Sequence, residues 1–158
     1  MVALGCSLPG VYQSREALLD AAVLALGQAG LTVAAQSAWW ASAAWPDPSA
    51  PGYLNGVLLV EPTSPPQAML AGLHEIEARF GRVRAEANAP RTLDLDLIAH
   101  GRLVLEGAVT VPHPRAHQRL FVMGPLSQVA PGWRHPVVGE TASALAAAAT
   151  VGTDAAPV

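Results

Sequence analysis

The stretch RTLDLDLIAH, residues 91–100, decides how the rest of the chain is read. Leucines and aspartates alternate through Leu93, Asp94, Leu95, Asp96 and Leu97. Side chains alternate across a β-strand, so the leucines point to one face and both aspartates to the other. The two carboxylates then lie about 7 Å apart along the strand. The leucine face needs an apolar layer over it. The aspartate face needs something that offsets two like charges. A hard cation such as Mg²⁺, held by one or two carboxylates with waters and phosphate oxygens, is one solution. A solvated outer face is the other, and the alternation alone leaves both open.

Outward from this strand the chain reads as alternating strands and helices. Residues 2–5 are a short apolar strand. Ser14 is placed to cap a helix over Arg15–Gln28, and Gly30 to end it. Residues 31–42 read as one strand, 43–52 as a loop with three prolines, and 53–61 as a third strand. Ser64 and Pro65 form a capping pair for a helix that runs to Phe80 and stops at Gly81. Its inward stripe is Met69, Leu70, Leu73, Ile76 and Phe80, with Glu77 bordering it. RTLDLDL is the fourth strand. A hairpin over 103–111, a loop over 112–119, a short helix over 120–129 interrupted at Gly124 and Pro125, and a helix over 141–149 follow. The tail 151–158 is expected to fray. One domain over residues 1–150 is expected. The order β-α-β-β-α-β is the ferredoxin-like one. It predicts an α+β sandwich with an added C-terminal hairpin and short helices. The two long helices would cover one face of an antiparallel sheet, leaving the other to loops or ligands.

Composition narrows the function. The chain has 158 residues, 51% of them hydrophobic and 13% charged, with alanine supplying much of the excess. That is enough to bury a sizeable core. The most apolar runs, 17–26 and 142–149, are too short to span a bilayer. No basic leader precedes them, so a cytoplasmic protein with no membrane partner is expected. Cys6 is the single cysteine, which excludes an internal disulfide and a zinc-type cysteine cluster. The net charge of −3 argues against nucleic acid as a partner. There is no lysine. Three of the nine arginines, Arg82, Arg84 and Arg91, fall just before the aspartates. Guanidinium forks suit phosphate oxygens, so the cluster reads either as a local anion site or as solvated surface charge. His113, Arg115 and Arg119 repeat the theme in the 112–119 loop. Tyr53 and Asn55 share a strand face, which could be an ordinary sheet surface or a seat for a flat heterocycle. No GxxxxGK[ST] or GxGxxG loop is present.

The motifs GRVR at 81–84, PRTLDLDL at 90–97, and VPHP at 111–114 followed by RLF at 119–121 resemble one family. It is the 6-hydroxymethyl-7,8-dihydropterin pyrophosphokinase family of folate biosynthesis, and the resemblance runs over about residues 4–132. It implies a ferredoxin-like α+β fold. It also implies transfer of pyrophosphate from ATP to the hydroxymethyl group of the pterin, with release of AMP, by a monomer acting on these two small molecules. Asp94 and Asp96 would bind two Mg²⁺ ions. Arg82 and Arg91 would be catalytic and, with His113 and Arg119, would hold the triphosphate, while Arg84 would sit in a segment that closes over the site. The loop after Trp45 would be a second lid. His74 and Glu77 would contact the nucleotide, and Ile98 and Thr110 would line the adenosine pocket. The pterin would stack between Tyr53 and Phe121, with Asn55 and the backbone around Ser42, Ala44 and Trp45 bonding its edge. The chain departs from the family pattern at Gly5-Cys6-Ser7, where glycine-serine-asparagine is usual. It departs again at Asn88-Ala89-Pro90, where a tryptophan usually precedes Gly-Pro. A binding relative without turnover, an RNA-binding ferredoxin-like module, and a transferase for another hydroxymethyl heterocycle are the competing expectations.

Overall fold

The structure, a computed structural model, describes residues 1–44, 47–82 and 92–158. Trp45, Arg84, Arg91 and the Asn88-Ala89-Pro90 departure lie outside the described residues. The elements are β1 (Val2–Cys6), α1 (Arg15–Gln28), β2 (Val33–Gln36), β3 (Trp40–Ser42), β4 (Tyr53–Val60), α2 (Pro66–Arg79), β5 (Asp94–Leu97), a 3₁₀ turn (Ala116–Gln118), α3 (Leu120–Val129), α4 (Ala142–Ala148) and β6 (Ala156–Pro157). This is an α+β arrangement around one open sheet. β5, β1, β4, β3 and β6 lie side by side in that order, β2 pairs with the other half of β4, and all pairs are antiparallel.

α1 forms over the expected residues. The Ser14 hydroxyl accepts from the Ala17 amide at 3.1 Å, and Gly30, at φ 88°, takes the left-handed turn that ends the helix. α2 starts one residue later than expected, with Pro65 as its cap and Pro66 as the first helical residue, where a missing N–H costs nothing. Both helices lie on the leucine face. Leu18, Leu19 and Leu26 of α1 and Met69, Leu73 and Ile76 of α2 meet Leu4, Leu54, Leu58, Leu95 and Leu97 of the sheet. Each such leucine stabilises the fold by roughly 1.5–3 kcal/mol relative to an exposed one.

Five sequence expectations are corrected. The 31–42 strand is two strands, because Ser37 breaks the ladder: its hydroxyl accepts from the Val57 amide at 3.0 Å and donates to the Ala38 carbonyl at 2.8 Å. Around this break Trp39 and Trp40 turn to opposite faces. Trp39 lies over Gly56 on the helical face, and Trp40 lies against Gly124 on the other. The 103–111 hairpin reduces to a single bridge between Leu105 and Val111. α3 runs unbroken through Pro125, which sits six residues in and forgoes one backbone bond while packing holds the helix against β4. Helices are not confined to one face. α3 and α4 cover part of the second, where Val122, Met123, Leu126 and Leu145 enclose Val57 and Ile98. The tail does not fray. Val151 bridges to Arg119, and β6 pairs with β3.

Candidate active site

The part of the second face that α3 and α4 leave uncovered is the floor of a cavity of about 450 Å³. Register explains what stands on that floor. Ala3 pairs with both Asp96 and Val57, and Gly5 pairs with both Asp94 and Asn55. Small residues on β1 therefore separate the carboxylates of β5 from the polar side chains of β4 by about 10 Å, two strand spacings. A side chain at Gly5 would crowd the Asn55 side-chain oxygen Oδ1, 3.1 Å from an added Cβ.

On the β5 side the cavity is charged. Asp94, Asp96, Arg82, His113 and Arg119 all line it. The Arg82 guanidinium is held between two carboxylates, Glu77 and Asp94, and lies 2.6 Å from the Asp94 oxygen. The same Glu77 oxygen accepts from the Leu95 amide at 2.7 Å. Glu77 thus ties α2 to β5 and aims Arg82. Burial raises the Glu77 carboxyl above its usual value, against the pull of the Leu95 amide and Arg82. Burial and then the neighbouring Asp94 raise Asp96, while His113, Arg119 and Arg82 oppose this. Burial lowers His113. Its amide donates to the Ile98 carbonyl at 2.8 Å, and its Nδ1 accepts from the Arg115 amide at 3.2 Å. Neutral His113 therefore carries its proton on Nε2, as a donor. Burial also lowers Arg119, whose guanidinium lies 5.7 Å from the centre of the Phe121 ring.

On the β4 side the cavity is neutral. Tyr53, Asn55, Ser42 and Phe121 line it, and the Asn55 amide donates to the Ser42 hydroxyl at 3.1 Å. Flat rings and an oriented amide are the usual fittings of a heterocycle site.

Sequence reasoning named most of these residues, and the fold brings Ser42, Tyr53, Asn55, Arg82, Asp94, Asp96, His113, Arg119 and Phe121 to one cavity. His74, Glu77, Ile98, Thr110 and Ala44 are not among its lining residues. Ile98 is buried in the second core, and Thr110 bonds weakly to the Gly107 carbonyl. Arg115, a candidate cation of the 112–119 loop, also lines the cavity, and Gly5, Gln118 and Val151 line it without any sequence assignment. The alternation of Ala3 and Gly5 opposite Leu4 was a readable signal for a shallow floor. Val151 had none, since it arrives through long-range pairing.

Among the described residues no group of three or more His, Cys, Asp or Glu side chains is placed to enclose a metal. Mg²⁺ needs no such cage, because it keeps waters and takes phosphate oxygens beside one or two carboxylates. Asp94 and Asp96 fit that donor set. Asp96, disfavoured as an anion where it stands, gains from a nearby cation. No described helix is long and apolar enough to cross a membrane.

The sequence model of the family described as 7,8-dihydro-6-hydroxymethylpterin-pyrophosphokinase matches residues 1–131. Proteins named 2-amino-4-hydroxy-6-hydroxymethyldihydropteridine pyrophosphokinase are similar to the chain. The one from a Synechocystis species is 44% identical over 114 residues, covering 72% of this chain and 58% of that protein. The one from Haemophilus influenzae is 33% identical over 131 residues, covering 82% and 79%. A folic acid synthesis protein of Pneumocystis carinii is 36% identical over 90 residues, 56% of this chain and 12% of that protein. The match thus spans 58% of the Synechocystis relative's length and a small part of the fungal one.

Proposed function

The chain belongs to the 7,8-dihydro-6-hydroxymethylpterin-pyrophosphokinase family, and from that premise we propose that it transfers pyrophosphate from ATP to the hydroxymethyl group of 6-hydroxymethyl-7,8-dihydropterin in folate biosynthesis. One observation carries the proposal. A carboxylate pair, three arginines and a donor histidine share a single cavity with two aromatic rings and an oriented amide. The charged side suits a triphosphate and the neutral side a flat heterocycle. The strand order β5-β1-β4, with β2 and β3 beyond, supports the ferredoxin-like reading of the fold.

In the proposed reaction the hydroxymethyl oxygen bonds to the β-phosphorus. The bond from that phosphorus to the α,β-bridging oxygen breaks, AMP leaves, and the hydroxyl proton passes to solvent. Asp94 and Asp96 would hold Mg²⁺, as two ions, which supplies positive charge at the phosphates and acidifies the hydroxyl when bound. Arg82, His113 Nε2 and Arg119 would donate to phosphate oxygens and offset the charge that grows on the bridging oxygen. Arg91 and Arg84 are proposed to add to this set. Tyr53 and Phe121 would fix the pterin plane, and Asn55 its edge, so that the two reactants meet in line. His74, Glu77, Ile98 and Thr110 are proposed for the nucleotide, Glu77 through its hold on Arg82. Ser42, Ala44 and Trp45 are proposed for the pterin. The reading is of a cytoplasmic monomer whose partners are its two substrates.

The test is chromatographic. Protein, ATP, Mg²⁺ and the pterin are mixed, and AMP, ADP and pterin pyrophosphate are quantified with and without each component. Pterin-dependent AMP that is lost on chelation of Mg²⁺ is expected. ADP as the product would overturn the reaction. No nucleotide product from a folded protein that binds ATP would leave a binding protein without turnover.

A further inference from the structure

Residues 150–158 lie outside the span matched by the family and are anchored at both ends. At one end the Thr150 and Val151 amides each donate to the Gln118 carbonyl at 3.0 Å, and the Leu120 amide donates to the Val151 carbonyl at 2.9 Å. At the other end β6 pairs with β3, and the Val158 amide donates to the Trp39 carbonyl at 3.0 Å. Two contacts between these anchors reach the neutral side of the cavity. The Gly152 backbone, at φ 64°, presses on Phe121 so closely that an added Cβ would stand 2.4 Å from the ring. The Asp154 carboxylate accepts from the Ala43 amide at 2.5 Å. Ala43 follows Ser42, whose hydroxyl receives the Asn55 amide. One short segment therefore holds both the ring wall, through Gly152, and the amide wall, through Asp154, Ala43 and Ser42.

We propose that residues 150–158 form a strap that sets affinity for the heterocyclic substrate, with Gly152 and Asp154 as its positioning residues. The inference rests on the pterin reading of the site. Neither residue lines the cavity, so each acts through a wall: Gly152 through the tilt of Phe121, Asp154 through the backbone at Ala43 and the aim of Asn55. The carboxylate–amide bond is charge-assisted, and the amide it restrains begins the loop that carries Ala44. The phosphate side is fixed by other means, chiefly β5 and Glu77, and does not depend on Asp154.

The test compares wild type with Asp154→Ala, Asp154→Asn and Gly152→Ala. Asp154 is exposed, and its replacement leaves the core untouched. KM for the pterin, KM for ATP and kcat are measured. Affinities for 6-hydroxymethylpterin and for a non-hydrolysable ATP analogue with Mg²⁺ are measured calorimetrically. Asp154→Ala is expected to weaken pterin binding about tenfold, the worth of one charged hydrogen bond, with ATP affinity and kcat unchanged. Asp154→Asn, which keeps an acceptor for the Ala43 amide, recovers most of that loss. Gly152→Ala weakens pterin binding in the same direction. Wild-type pterin affinity in Asp154→Ala would overturn the proposal, as would equal loss for both ligands or an asparagine variant no better than alanine. A wild-type protein that binds ATP but no pterin would overturn the functional reading itself, and the strap's role with it. Wild-type binding separates that failure from the others.

Discussion

The two faces of the sheet are built from the same strands and solve opposite problems. On one face Leu4, Leu54, Leu58, Leu95 and Leu97 are buried under α1 and α2, and burial is the whole of their work. On the other Ala3, Gly5, Tyr53, Asn55, Asp94 and Asp96 leave a shallow floor that α3 and α4 cover in part. There the groups are held against their preference: Asp96 is raised by burial, and His113 and Arg119 are lowered by it. Stability is supplied by the first face and spent as electrostatic tension on the second. Strands of period two let both coexist in neighbouring residues.

The contrast is sharpest within β5, and neighbouring substitutions there should separate it. Asp96→Ala should lower the rate of AMP formation about 10²–10³-fold or more, measured by chromatography. Its melting temperature at neutral pH should be unchanged or higher, because a carboxylate disfavoured in the folded state is gone. A large loss of stability would break the comparison. Leu95→Ala, one residue away, should behave in reverse. It should cost about 2–5 kcal/mol in denaturant titrations, with kcat per folded molecule close to wild type.

Gly56→Ala tests the closed face by overfilling it. A Cβ there would meet the Trp39 ring at 2.4 Å, so a loss of about 1–3 kcal/mol is expected, again with kcat preserved. The smallest effect is on pH dependence, in the module that covers the second face. His135 is buried, and its Nδ1 accepts from the amides of Val137 and Val138 at 3.3 and 3.1 Å. Burial, and then His117, lower its pKa below the ordinary 6.5. The unfolded chain therefore binds the proton more readily. Stability is full above pH 6.5 and is lost as pH falls from there through the folded value. For one proton the slope is at most about 1.4 kcal/mol per pH unit. Melting curves between pH 8 and pH 5 should show a shallower slope in His135→Gln than in wild type, the remainder belonging to the other groups that burial lowers, His113 and the N-terminal amine.

Much of this was legible because local period carries it. The L-D-L-D alternation alone assigns residues to faces, and Ser14 with Gly30 bounds α1. The family resemblance carried by the motifs, rather than spacing alone, named nine of the residues that meet in the cavity. The split at Ser37 was not legible, since a serine in a strand is ordinary until its hydroxyl finds the Val57 amide. Pro125 read as an interruption because the cost of a missing N–H is local, while the contacts of α3 with β4 and α4 that outweigh it are not.

By itself, then, the sequence determined where the two long helices and the strands β1, β4 and β5 lie, which face the residues of β5 take, and which family the chain resembles. These depend on neighbours a few positions apart. The tertiary structure alone decided how the second face is covered and that Glu77 aims Arg82 from a helix bordering the apolar stripe. It also decided that the tail is strapped across β3. The course of the tail rests on backbone groups of Ala43, Val151, Gly152 and Ala156, whose side chains are too plain to announce a partner and whose contacts exist only once distant segments have met.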